Sequence, residues 1–138
     1  MLTPFMADLV LTTDTSLSGF GFTLERVNPK ETLFAGHGPW DTSTKSSMSS
    51  NQREFVTIKR ALSITQHWTQ GKSLLIQTDN TISVAYLKKG AGQVKELFKI
   101  AQDIVKWAFA NNTTIKETHI PGLSNTHADT LSRTVDKT

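Results

Sequence analysis

At 138 residues, 37% apolar and 20% charged, the chain suits one domain with a core of its own and is too apolar for a disordered segment. No apolar run is long enough to span a bilayer, Met1 to Asp8 lacks a secretory profile, and zero cysteines exclude disulfides and thiolate metal sites, which fits an intracellular, non-secreted setting. A net charge of +3 is compatible with a polyanionic partner without demanding one.

Leu9 to Thr13 is a β-prone run leading straight into Asp14. Ser16 to Gly21 supplies turn residues, and Phe20 to Leu24 resumes as a second strand. Asn28-Pro29-Lys30 marks a turn, after which Leu33 to Gly36 begins a third strand, so the first part of the chain reads as an antiparallel meander. Asp41 to Ser50 is a polar loop ending in helix-capping residues. The period then changes. From Gln52 to Trp68, apolar residues recur at Phe55, Ile58, Ala61, Leu62, Ile64 and Trp68, which predicts an amphipathic helix capped by Ser50 or Asn51 and stopped by Gly71.

Ser73 to Thr78 is an apolar strand delivering Asp79 at its end. A short helix over Thr81 to Lys89 ends at Gly90, and a longer one runs from Val94 to Ala110, with Leu97, Ile100, Ala101, Ile104, Val105 and Ala108 on its buried side. Ile115 to Ile120 is a last strand, broken by Pro121-Gly122, and a closing helix runs from about Thr126 to Arg133. The order is β-β-β-α-β-α-α-β-α, with neither an internal repeat nor a linker that would divide residues 1–138 into more than one domain.

Four acids stand at the ends of these elements. Asp14 ends the first strand and Asp79 the fourth, and if those strands are parallel neighbours their carboxyl ends coincide, at the edge where open α/β sheets bind ligands. Glu54 falls in the first turn of the first long helix, where the helix dipole favours a carboxylate, and Asp129 falls in the closing helix. Each has a polar neighbour suited to a metal site: Ser16 after Asp14, Asn51 before Glu54, Asn80 after Asp79, Asn125 before Asp129. Carboxylates gathered in one place need cations, and two Mg²⁺ ions held by oxygens are the apparatus of a nuclease. Taken singly, each acid has an ordinary reading as a turn, cap or solvated residue.

The tail carries the most specific pattern. His119-Ile120-Pro121-Gly122, then Asn125, Ala128-Asp129 and Leu131-Ser132-Arg133, resembles the closing motif of retroelement ribonuclease H domains. Thr13-Asp14-Thr15-Ser16 with Gly19-Phe20-Gly21 resembles the first motif of that family. Asn51-Gln52-Arg53-Glu54-Phe55 with Ala61-Leu62 resembles the second, and Thr78-Asp79-Asn80 with Val84-Ala85-Tyr86 the third. The motifs follow the family order over nearly the whole chain. They look most like DIRS-type retrotransposons, with gypsy-type elements and pararetroviruses next.

The resemblance implies an α/β fold of the ribonuclease H kind: a mixed five-stranded sheet, three strands antiparallel and then parallel, with helices on both faces. It implies that Asp14, Glu54, Asp79 and Asp129 hold two Mg²⁺ ions, for which Mn²⁺ substitutes, and that the RNA strand of an RNA–DNA hybrid is hydrolysed to 5′-phosphate and 3′-hydroxyl ends. His119 matches the histidine that assists proton transfer or product release, and Asn51 a residue of the substrate groove. Ser16, Asn80 and Asn125 become contacts to substrate or to the metal-binding acids. Lys88 and Lys89, beside Gly90-Ala91-Gly92, form with Lys95 a basic cluster suited to phosphates.

The departures bear on substrate grip. The basic handle that cellular relatives carry after the third acid is reduced to Gly90–Val94, and retroviral domains lacking it lean on the attached polymerase. The chain is therefore expected to be one domain of a longer reverse-transcriptase polyprotein, with that polymerase domain as partner. Two rivals share the fold. A non-catalytic domain of the connection type usually lacks some of the four acids, and a DNA-directed nuclease such as a junction resolvase would not normally carry this tail.

Overall fold

In a computed structural model, which describes residues 5–41, 48–78 and 95–119, the first strand is the centre of the sheet. This is β1 (Leu9–Thr15), whose β-branched and aliphatic residues are buried on both faces from Leu11 to Asp14. It pairs antiparallel with β2 (Gly19–Arg26), which pairs antiparallel with β3 (Glu31–Pro39). On its other side β1 pairs parallel with β4 (Ser73–Thr78), and β4 parallel with β5 (Thr114–His119), giving the order β3-β2-β1-β4-β5. The mixed five-stranded sheet expected from the sequence is present.

The third strand is longer than its apolar stretch predicts. β3 is an edge strand with an exposed pattern, so polar residues such as Glu31, Thr32 and His37 extend it without a hydrophobic signature. Its glycines have a packing reason. A Cβ on Gly36 would come within 2.6 Å of the Phe22 ring, and one on Gly38 within 3.0 Å of the Phe20 ring, so both aromatics lie close against β3 backbone.

Helix α1 (Ser50–Ile64) begins slightly earlier than its periodicity suggests, because the N-cap is Ser49. The Ser49 hydroxyl accepts from Gln52 N at 3.2 Å while Gln52 Oε1 accepts from Ser49 N at 2.9 Å, a reciprocal capping box. The earlier start leaves no acid in the first turn and puts Glu54 in the second, so burial and not the helix dipole accounts for its place. The single predicted helix is also two pieces. At Thr65 the hydroxyl donates to Ala61 O at 2.7 Å, and the chain continues as a short helix, α2 (Gln66–Thr69), before Gly71 turns it at φ +76°.

Helix α3 (Lys95–Ala110) buries Leu97, Ala101, Ile104 and Ala108, as the sequence indicates. Val105 instead stands 42% exposed, because it lies at the margin of that stripe. The core joins these residues to Phe55, Ile58 and Leu62 of α1 and to Leu9, Leu11, Phe22, Leu24, Leu74 and Ile76 of the sheet. By the two-residue alternation of strands these sheet residues share one face, on which the described helices pack. The helices predicted over Thr81–Lys89 and Thr126–Arg133 lie outside the described residues. No described helix is long and apolar enough to cross a membrane.

Candidate active site

The parallel half of the sheet brings three strand ends into one row. Thr13 of β1 is in register with Thr78 of β4, and Thr78 with His119 of β5. Above that row the inward face of α1 delivers Glu54, which is four residues before Ile58 and seven before Ala61 and so shares their buried stripe. The residue is only 2% exposed. Oε1 accepts from Thr13 Oγ1 at 2.7 Å and from Thr78 Oγ1 at 2.9 Å, and Oε2 accepts from Thr15 Oγ1 at 3.3 Å.

Asp14 sits between Thr13 and Thr15, so strand alternation turns it to the opposite face of the same edge. It is 5% exposed. Two acids thus reach the carboxyl edge of the sheet, one on a strand and one on a helix. The hydroxyls around Glu54 are neutral donors that meet its buried oxygens with hydrogen bonds. Buried oxygens of this kind, with no sulfur among them, are the donor set that a hard divalent cation takes.

The remaining predicted residues divide plainly. Ser16 closes the β1–β2 turn: its hydroxyl accepts from Gly19 N at 3.1 Å, and its carbonyl accepts from Trp40 Nε1 at 3.2 Å. Asn51 is half-buried in the first turn of α1, and His119 is exposed at the end of β5. Asp79, Asn80, Lys88, Lys89, Asn125 and Asp129 lie outside the described residues, as does the Lys95 side chain. Among the described residues, no three histidines or acids come together as a metal-binding group.

Thr13, Thr15 and Thr78 are the residues of this site that a reading for acids passes over. Their signal was available: a threonine immediately precedes the acid at both strand ends, Thr13-Asp14 and Thr78-Asp79.

The region with this geometry is recognised by comparison with known proteins. A family described as reverse transcriptase-like matches residues 11–135. Among solved structures, LC11 ribonuclease H1, isolated from compost and bound to an RNA/DNA hybrid, superposes with a TM-score of 0.78 at 17% identity, over 94% of this chain and 97% of that one. Ribonuclease H1 of the halophilic archaeon Halobacterium salinarum gives 0.72 at 13% identity, over 94% and 97%. The foamy viral protease–reverse transcriptase bound to an RNA/DNA hybrid gives 0.67 at 14% identity, covering 95% of this chain but 20% of that larger one. At such identities the likeness is one of fold. No curated protein matches the chain.

Proposed function

Since the chain belongs to the reverse transcriptase-like family and has the ribonuclease H fold, we propose that it is a metal-dependent endonuclease hydrolysing the RNA strand of RNA–DNA hybrids during reverse transcription. The observation that carries this reading is Glu54, a carboxylate buried on three threonine hydroxyls at the carboxyl edge that Asp14 reaches from β1. Asp79 follows Thr78, the register partner of Thr13, and with Asp129 it completes a set of four acids.

Asp14, Glu54, Asp79 and Asp129 would hold two Mg²⁺ ions, with Mn²⁺ as a substitute. Such a pair supplies, when bound, an activated water and charge stabilisation at the leaving 3′ oxygen, giving 5′-phosphate and 3′-hydroxyl ends. His119, one strand from Thr78, assists proton transfer or product release. Ser16, Asn51, Asn80 and Asn125 are the polar groups for the 2′-hydroxyls displayed in the wide minor groove of an A-like duplex. Lys88 and Lys89 take phosphates, and the polymerase domain of the same polyprotein adds the affinity that a reduced basic loop lacks. A nucleic-acid substrate and a cysteine-free chain both fit work inside the cell.

A labelled RNA–DNA hybrid tests the proposal. Cleavage with Mg²⁺ or Mn²⁺ is expected for the wild type and none for Asp79→Asn. No cleavage at high protein, low salt and with Mn²⁺ would favour a module that binds without cutting, and equal cutting of duplex DNA would sink the hybrid-specific reading.

A further inference from the structure

We propose that Thr13 and Thr78 are positioning residues that together hold Oε1 of Glu54 and so fix the orientation in which its carboxylate would meet an ion. The inference rests on the proposed hydrolase reading and deepens it. Each carboxylate oxygen offers about two lone-pair positions. At Oε1 both are met by buried hydroxyls, at 2.7 Å from Thr13 and 2.9 Å from Thr78. The Thr15 hydroxyl adds a longer bond, 3.3 Å, to Oε2, so the two short bonds to Oε1 are the ones that fix the carboxylate.

The sequence explains why these two residues hold that place. Thr13-Asp14 and Thr78-Asp79 are the same dipeptide on neighbouring parallel strands, and Thr13 and Thr78 are register partners. Because strand side chains alternate, Thr13 reaches the helix face and leaves Asp14 for the other side of the edge. In Thr13-Asp14 one dipeptide therefore does two things: its acid is the strand-borne candidate ligand, and its threonine ties down the helix-borne one. Glu54 arrives on α1, with no covalent tie to either strand nearby. The pair of hydroxyls from β1 and β4 is what locates its carboxylate relative to both strands.

Threonine suits this better than serine. Its β-branch restricts χ1, so the hydroxyl is aimed before any ion arrives. Both side chains are fully buried, with no solvent to replace a lost donor.

The test uses Mn²⁺ alone as the probe, titrated calorimetrically into the full chain, with circular dichroism to report the fold. Thr13→Val and Thr78→Val keep shape and delete the hydroxyl. Each is expected to weaken Mn²⁺ binding by ~10-fold or more, the usual consequence of losing a group that orients a ligand. Thr78→Ser should remain within about threefold of wild type, because its hydroxyl persists. In a Glu54→Gln background Thr78→Val should change affinity no further. A purely structural role would leave Mn²⁺ affinity unmoved in folded variants, or would lower it equally with and without Glu54, and either result overturns the proposal. Should a valine variant not fold, alanine and serine at the same position make the comparison, and equal Mn²⁺ affinity in the two again overturns it. A wild type that binds no Mn²⁺ would overturn the hydrolase reading as well, whereas wild-type binding with unaffected threonine variants overturns this inference alone.

Discussion

Thr78 of β4 and His119 of β5 are register partners, which sets an exposed imidazole one strand away from a hydroxyl that holds Glu54. Neighbouring strands are about 4.8 Å apart, so His119 stands exposed in the same row of strand ends as Thr78. Removing it should therefore slow turnover and spare ion binding. His119→Ala is expected to lower kcat by ~10²-fold, the scale of a lost proton-transfer group, with an unchanged Mn²⁺ dissociation constant. A parallel loss of Mn²⁺ affinity would make His119 a ligand instead.

Glu54→Gln keeps the shape of the side chain and an oxygen for the threonines, and removes the charge. If that charge helps hold an ion, cleavage should fall by ~10³-fold, the equivalent of about 4 kcal/mol in the barrier. Single-turnover cleavage of a hybrid measures this directly. Activity within about tenfold of wild type would remove Glu54 from the proposed site.

Substrate grip should be electrostatic. Lys88→Ala and Lys89→Ala are each expected to weaken hybrid binding and to make it less salt-dependent, the slope falling by about one unit for each phosphate no longer neutralised. Fluorescence anisotropy over a salt series separates this from a local folding defect, which would lower affinity without changing the slope.

Gly36 should tolerate no side chain. A Cβ there meets the Phe22 ring, whose position is fixed by full burial in the core. Gly36→Ala is expected to destabilise by about 1–3 kcal/mol, as overpacking does, read as a lower urea midpoint at an unchanged slope. Unaltered stability would mean that β3 shifts freely over Phe22.

Arg60 offers a milder case. Its guanidinium lies 5.4 Å from the Phe20 ring centre and 5.2 Å from that of Trp40, linking α1 to the β1–β2 turn that Trp40 also ties through Ser16. The side chain is exposed, so Arg60→Ala should cost about 0.5–1 kcal/mol. Thermal unfolding of Arg60→Ala beside Arg60→Lys would show whether the charge or the planar group matters.

Most of the fold was legible because its signals are local. The β-branched run before Asp14, the helical stripe through Phe55, Ile58 and Leu62, and the turn at Asn28-Pro29 are each readable within a few residues. The same holds for the order of the motifs that marks the family. Boundaries were less secure: the capping box at Ser49 moved the start of α1, and the exposed residues of β3 carried no apolar pattern.

The sequence by itself determined the strands and long helices among the described residues, the order of the acids and the threonine before Asp14 and Asp79. Only the tertiary structure decided that Thr13, 41 positions from Glu54, and Thr78, 24 positions from it, share one oxygen of that carboxylate. Such an arrangement has no local signature. It exists because β1 and β4 pair in parallel, in one register, under a helix whose buried stripe includes an acid. Pairing between distant segments is settled by burial across the whole core, which no short stretch of chain records.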